Sequence, residues 1–146
     1  MSAQPADLNI NSLSSVILGL QFATFGWRIN REIPVGDAGR RTWFPVPDVV
    51  NVVSMLNVVW FCFVEPLAAN QFAKSARVSL AIAAVVLAFH PLCMVAHYRL
   101  FTEGGRKVYL SQGNSDYPYC TVPEFVLVVV GLALAATVGL KVWFSP

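Results

Sequence analysis

The sequence predicts an all-α integral membrane protein, an antiparallel bundle of four transmembrane helices with two longer loops on one side. Three observations predict it. Hydrophobic residues make up 56% of the 146 residues, and charged residues only 12%, about half the share usual in soluble domains. A soluble domain of this size has too little interior to hide that much apolar surface, so lipid is the expected solvent. Four stretches each approach the ~20 mostly apolar residues that a spanning helix needs.

The first span covers residues 9–27, with LSSVILGLQFATFGW as its core. Asn11 or Ser12 is a candidate cap, and Trp27-Arg28 marks an interface. The second covers 48–68, the third 77–98 and the fourth 123–144. The fourth has the clearest start: Thr121-Val-Pro-Glu124 reads as a capping box with Pro at an early helical position. Residues 1–146 form a single domain on this reading, with no internal repeat. The N-terminal stretch has no Lys or Arg before Arg28, so neither a signal peptide nor a transit peptide is expected.

The connections are unequal. Residues 28–47 and 99–122 are long and carry much of the Gly, Pro and charge; 69–76 is short. KVYLSQGNSDYPY has the pattern of a small hairpin turning at Gly113-Asn114. The two long loops hold Arg28, Arg31, Arg40, Arg41, Arg99, Arg106 and Lys107, whereas the other side holds Lys74, Arg77 and Lys141. The positive-inside bias places both long loops on the cytoplasmic or matrix side and both termini across the membrane. A bacterial or organellar inner membrane is the expected location. Trp27, Trp43, Tyr98, Tyr117 and Tyr119 suit an aromatic belt on the basic side, and Trp143 and Phe144 one on the other.

At 100° per residue each span shows one face suited to burial against protein. The first aligns Ser14, Gln21, Thr24 and Arg28. The second gathers Asp48, Asn51, Ser54, Asn57, Cys62 and Glu65 on one half, opposite Val49, Val53, Leu56 and Trp60. The third aligns Ser79, Ala83, Val86, His90, Cys93, Met94 and His97. The fourth aligns Glu124, Val128, Gly131, Ala135 and Gly139, a small-xxx-small track that lets another backbone come close. Antiparallel threading puts Arg28, Asp48, His97 and Glu124 at one depth, so Glu124 is expected to pair with His97 or Arg28. By the same reasoning Glu65 is expected to pair with Arg77 or Lys141.

FHPLCMVAHYR, residues 89–99, is the densest group of ligand-type side chains. His90 and His97 lie seven residues apart, about 10 Å along a helix axis. They therefore cannot supply both axial ligands of one haem. A haem would use His90 or His97 with a ligand from a partner. His90 with Met94, or Cys93 with His97, are i, i+4 pairs of the kind copper(I) favours, with Cys62 or Met55 as a further ligand. The plainer reading makes Cys93 and Met94 packing residues and His97 interfacial. In it His90 bonds a polar neighbour or a carbonyl freed by Pro91.

Three functional readings follow. The first is a non-catalytic accessory subunit of a larger membrane complex, of the energy-transducing kind, whose partners are the lipid bilayer and other membrane subunits or further copies of itself. The second is a small oligomeric transporter or channel with a path along the polar half of the second span. The third is a copper- or haem-associated redox protein using the third. The net charge of +2 is spread over the loops, with no concentrated basic face for nucleic acid. No nucleophile elbow or phosphate-binding signature occurs.

Overall fold

Helix α1 (Ile10–Asp37) is the longest element of the computed structural model, which describes residues 10–39, 44–69, 73–98, 108–111 and 119–145. The expected end at Trp27 is not its end. Arg28 and Glu32 sit one turn apart and pair on the helix surface, which favours continuation. The chain turns out only at Gly39, whose φ of 70° is the left-handed conformation that glycine adopts without a Cβ penalty. Its N–H donates to the Gly36 carbonyl at 2.9 Å. Much of the loop expected at 28–47 is therefore helix.

Helix α2 (Val46–Ala69) starts behind Pro45, with Pro47 in its first turn. Its backbone widens into a π-turn over Trp60–Val64. Pro66 follows two residues after its end. A proline ring collides with the carbonyl one turn back, and a wider turn moves that carbonyl away. Helix α3 (Lys74–His97) contains Pro91. Strands β1 (Val108–Ser111) and β2 (Tyr119–Thr121) pair antiparallel, with Leu110 opposite Cys120 and Ser111 opposite Tyr119. The turn expected at Gly113-Asn114 lies outside the described residues. So do Arg40, Arg41, Trp43, Arg99, Arg106, Lys107 and Tyr117. Helix α4 (Val122–Phe144) opens with the full capping box. Thr121 Oγ1 accepts from the Glu124 N–H at 3.2 Å, and Glu124 Oε2 accepts from the Thr121 N–H at 3.1 Å.

Among the described residues, α2, α3 and α4 are long and apolar enough to cross a membrane. Helix α1 is not one of them despite its length, because Asn11, Ser12, Ser14, Ser15, Gln21 and Thr24 dilute its apolar surface. Helix α3 is the hub, packing against α1, α2 and α4. Contacts between neighbours run in opposite chain order: Arg28 meets Asp48 while Gln21 meets Ser54, and Asp48 meets His90 while Asn57 meets Ser79.

One end of the bundle is an apolar core of Ile17, Val58, Cys62, Ala76, Leu80 and Ala83. The opposite end is polar and is described below. The outer surface is apolar as well, with Val49, Val53, Leu56 and Trp60 of α2 exposed and Phe125, Val129 and Leu132 of α4 exposed. In water that surface would be a liability; in acyl chains it is the expected exterior.

Helix α4 approaches α3 along Gly131, Ala135 and Gly139, all buried. A Cβ at Gly131 would lie 3.0 Å from the Phe89 ring, and one at Gly139 would lie 3.0 Å from Ile82. Gly19 of α1 has open space instead. Gly131→Leu should therefore lower stability by ~1–3 kcal/mol through overpacking, with Gly19→Leu near neutral. Unfolding by a denaturing detergent in mixed micelles measures both, and equal effects at the two glycines would contradict the close α3–α4 approach.

Candidate functional site

At one end of the bundle, side chains from four helices meet out of solvent. Arg28 of α1 is 1% exposed, Asp48 of α2 1%, His90 and His97 of α3 5% and 0%, and Glu124 of α4 0%. Charge placed there is costly unless it is paired and hydrogen-bonded. The geometry is that of paired groups.

Asp48 is the centre. Its Oδ2 accepts from Arg28 Nε at 2.8 Å, and its Oδ1 lies 2.8 Å from His90 Nε2. One carboxylate thus ties α1, α2 and α3. Asp48 sits in the first turn of α2, where the helix dipole also favours a negative charge. Arg28 additionally meets Glu32 and the Tyr98 hydroxyl. Tyr98 carries the Arg31 guanidinium 3.6 Å over its ring centroid, a cation–π contact that closes the network toward the helix end.

A second pair adjoins it. His97 Nδ1 lies 2.8 Å from Glu124 Oε2, the oxygen that also completes the capping box. Thr121 Oγ1 donates to the Ala96 carbonyl at 3.0 Å. The start of α4 is therefore pinned to the end of α3 by its cap and its first carboxylate together. Beside them, burial first and then the Glu124 carboxylate push the Cys120 thiol up to about 12. It stays protonated at neutral pH, a poor nucleophile and a poor metal ligand.

Deeper polar residues bond one another. Gln21 Nε2 donates to Ser54 Oγ at 3.0 Å. Asn51 Nδ2 donates to the Gln21 carbonyl at 3.3 Å and to Thr24 Oγ1 at 3.4 Å. Asn57 Nδ2 donates to Ser79 Oγ at 3.0 Å. The polar half of α2 thus faces protein and its donors are engaged there. Gln21 Oε1, Asn51 Oδ1 and Glu124 Oε1 remain buried acceptors without a partner among the described residues.

Several expectations need correction. Glu65 accepts from Ser75 Oγ at 2.7 Å rather than pairing with Arg77 or Lys141, because the short connection brings the start of α3 under it. Of the two partners expected for His90, it takes the polar neighbour, Asp48, and not the carbonyl freed by Pro91. The copper grouping does not assemble: His90 is turned to Asp48 and His97 to Glu124. Cys62 donates to the Ala76 carbonyl at 3.6 Å, about 21 Å down α3 from His90, and Met55 sits against Asn51. No group of three or more His, Cys, Asp or Glu able to hold a metal occurs among the described residues. Glu32 joins the network without having been singled out, and Tyr98 and Arg31, expected only as belt and loop residues, join it as well. The i, i+4 spacing of Arg28 and Glu32 and the Tyr next to His97 were the available signals.

No protein family, curated protein or solved structure matches this chain.

The network predicts strong non-additivity. Asp48→Leu leaves the Arg28 guanidinium buried without its main partner, and Arg28→Leu leaves the Asp48 carboxylate in the same state. Each should cost ~3–5 kcal/mol, while the double variant should lose less than the sum. A double-mutant cycle read by detergent unfolding measures the coupling, and additive effects would mean that the pair contributes nothing.

Proposed function

We propose that this chain is a four-span antiparallel membrane bundle serving as a non-catalytic accessory subunit of a larger assembly, of the energy-transducing kind, in a bacterial or organellar inner membrane. The observation that carries it is how the ionisable groups are used. Arg28, Asp48, His90, His97 and Glu124 hold helices to one another, and the outer surface is left apolar. Such a chain is built to pack within a membrane and to present hydrophobic helix faces. Helix α4 has the most to present, since only 17% of its apolar window is buried within the chain.

Placing α1 in the membrane as the fourth span is supported by its partners. Gln21 and Arg28 bond α2 at two depths, so α1 lies alongside α2 through the same layer. At 28 residues it extends about 42 Å, enough to cross the hydrocarbon. A transport path along α2 has less behind it, because Asn51, Ser54 and Asn57 are engaged in interhelical bonds. A metal or haem redox role has less still, given the partners that His90 and His97 take.

Two measurements test the proposal. Single cysteines at Asn11 and Ser145, in a background free of other cysteines, should react with an impermeant maleimide from one side of the membrane, and one at Asp37 from the other. Labelling of Asn11→Cys and Asp37→Cys from the same side would remove α1 as a span. For the accessory role, a photo-cross-linking residue at Val129 should give discrete adducts with other membrane proteins in native membranes. Exclusive cross-linking to lipid would contradict a partner on α4.

A further inference from the structure

Helix α1 overshoots its neighbour. The Arg28–Asp48 contact sets the two helices level, and α2 begins only two residues before Asp48, at Val46. Helix α1 continues nine residues past Arg28 to Asp37, about 13 Å along its axis. Its bundle-facing side, which carries Ser14, Gln21 and Arg28 lower down, has no α2 beside it there. In this place lies a groove of about 460 Å³, open along one side. Arg28, Glu32 and Gly36 form one row of its lining, and Ile29, Ile33 and Asp37 the next. Phe44 lines it as well, held edge-to-face against Phe25.

The groove carries more negative charge than positive. Glu32 and Asp37 line it, and Arg28 is the one cation among its described lining residues. That guanidinium is already engaged. It is 1% exposed, its Nε donates to Asp48, and it meets Glu32 Oε1 and the Tyr98 hydroxyl. Arg31, on the next face of the helix, lies over the Tyr98 ring. Glu32 Oε2 is buried without a hydrogen-bond partner, and Asp37 makes no ion pair among the described residues. Arg28 occupies the inner side of the Glu32 carboxylate, which leaves the groove as the side from which a donor can come. A half-used carboxylate beside exposed Ile29, Ile33 and Phe44 is an incomplete ion pair in an apolar frame.

We infer that this groove seats an arginine or lysine side chain, flanked by apolar residues, from a neighbouring membrane subunit. The surplus of carboxylate selects a cation that donates hydrogen bonds. The exposed Ile29, Ile33 and Phe44 select apolar flanks, which an inorganic cation does not have. The position selects a protein segment, because the groove lies where a longer α2 would continue along α1. A phospholipid is a poorer match: its headgroup brings a phosphate, and the Arg28 guanidinium is engaged with Asp48 and Glu32. The volume suits more than one side chain, within the ~300–1,000 Å³ common for binding pockets. The inference deepens the accessory reading proposed above and rests on it.

The chain has five isoleucines, Ile10, Ile17, Ile29, Ile33 and Ile82, and two of them line the groove. The full chain, with ¹³C-labelled isoleucine δ1-methyls, is placed in phosphatidylcholine nanodiscs and titrated with acetyl-Leu-Arg-Leu-amide. A second titration uses the citrulline analogue, which keeps the shape and loses the charge. The arginine peptide should shift the Ile29 and Ile33 methyls saturably and leave Ile10, Ile17 and Ile82 in place. The citrulline peptide should bind at least ~10-fold more weakly, equivalent to ~1.4 kcal/mol. Glu32→Gln and Asp37→Asn should each weaken the response roughly threefold, as expected for a partly exposed ion pair, with Ile17 and Ile82 reporting that the bundle stays folded. No shift, equal responses to the two peptides, or a full response in both acidic variants would each overturn the inference. So would a shift of the same two methyls when phosphatidylethanolamine is added to the nanodiscs, which would assign the groove to lipid. A response seen only after Arg40→Gln/Arg41→Gln would assign it to this chain's own arginines, with the same result. The Val129 cross-linking above tests the accessory role on α4, so adducts there with no response here would refute the groove alone.

Discussion

A carboxylate buried out of solvent must be shared or neutralised, and here Asp48 is shared. Its two oxygens face two different helices, and that single requirement sets much else. Arg28 must come to the depth of Asp48, which fixes how far α1 slides along α2. His90 must come to the same depth, which fixes α3. The remaining polar contacts, Gln21 with Ser54 and Asn57 with Ser79, then fall into register. Such a network adds little net stability relative to an apolar core, because desolvation offsets much of the attraction. What it supplies is intolerance of any other register, since a slip of one turn would strand a buried charge.

The two ends of the bundle divide the labour. The apolar cluster around Val58 and Ala83 holds the helices by packing, which is tolerant of small adjustments. The ionic end holds them by direction and distance, which is not. Helix α4 depends on both modes in one element. Its first turn is fixed by Thr121 and Glu124, and its length is fixed by close contact along Gly131, Ala135 and Gly139. That combination lets it pack on α3 with little help from α1 or α2.

Periodicity was enough to read which side of each helix faces protein. Ser14, Gln21 and Arg28, then Asp48, Asn51 and Ser54, then Ser79 through His97, fall on the buried faces because charge and amide groups have nowhere else to go. The start of α4 was legible because a capping box is a local motif with its own hydrogen bonds. What was not legible depended on distance through space. Asp48 was legible as a polar-face residue, but its enclosure by Arg28 and His90 was not. Glu65 could reach Arg77 by depth alone, but the short 70–72 connection favours Ser75. The length of α1 was hidden because aromatic and basic residues at Trp27-Arg28 resemble an interface, while Arg28 in fact turns inward.

The π-turn over Trp60–Val64 carries a further consequence for α2. A turn of this kind holds an extra residue compared with an α-helical one, so side chains beyond it are rotated relative to those before it. Upstream, Asn51 and Val58 point inward, as does Cys62 within the turn. Downstream, Glu65 meets Ser75. Removing one residue from this turn would give an unbroken α-helix that presents the same inner faces above and below it.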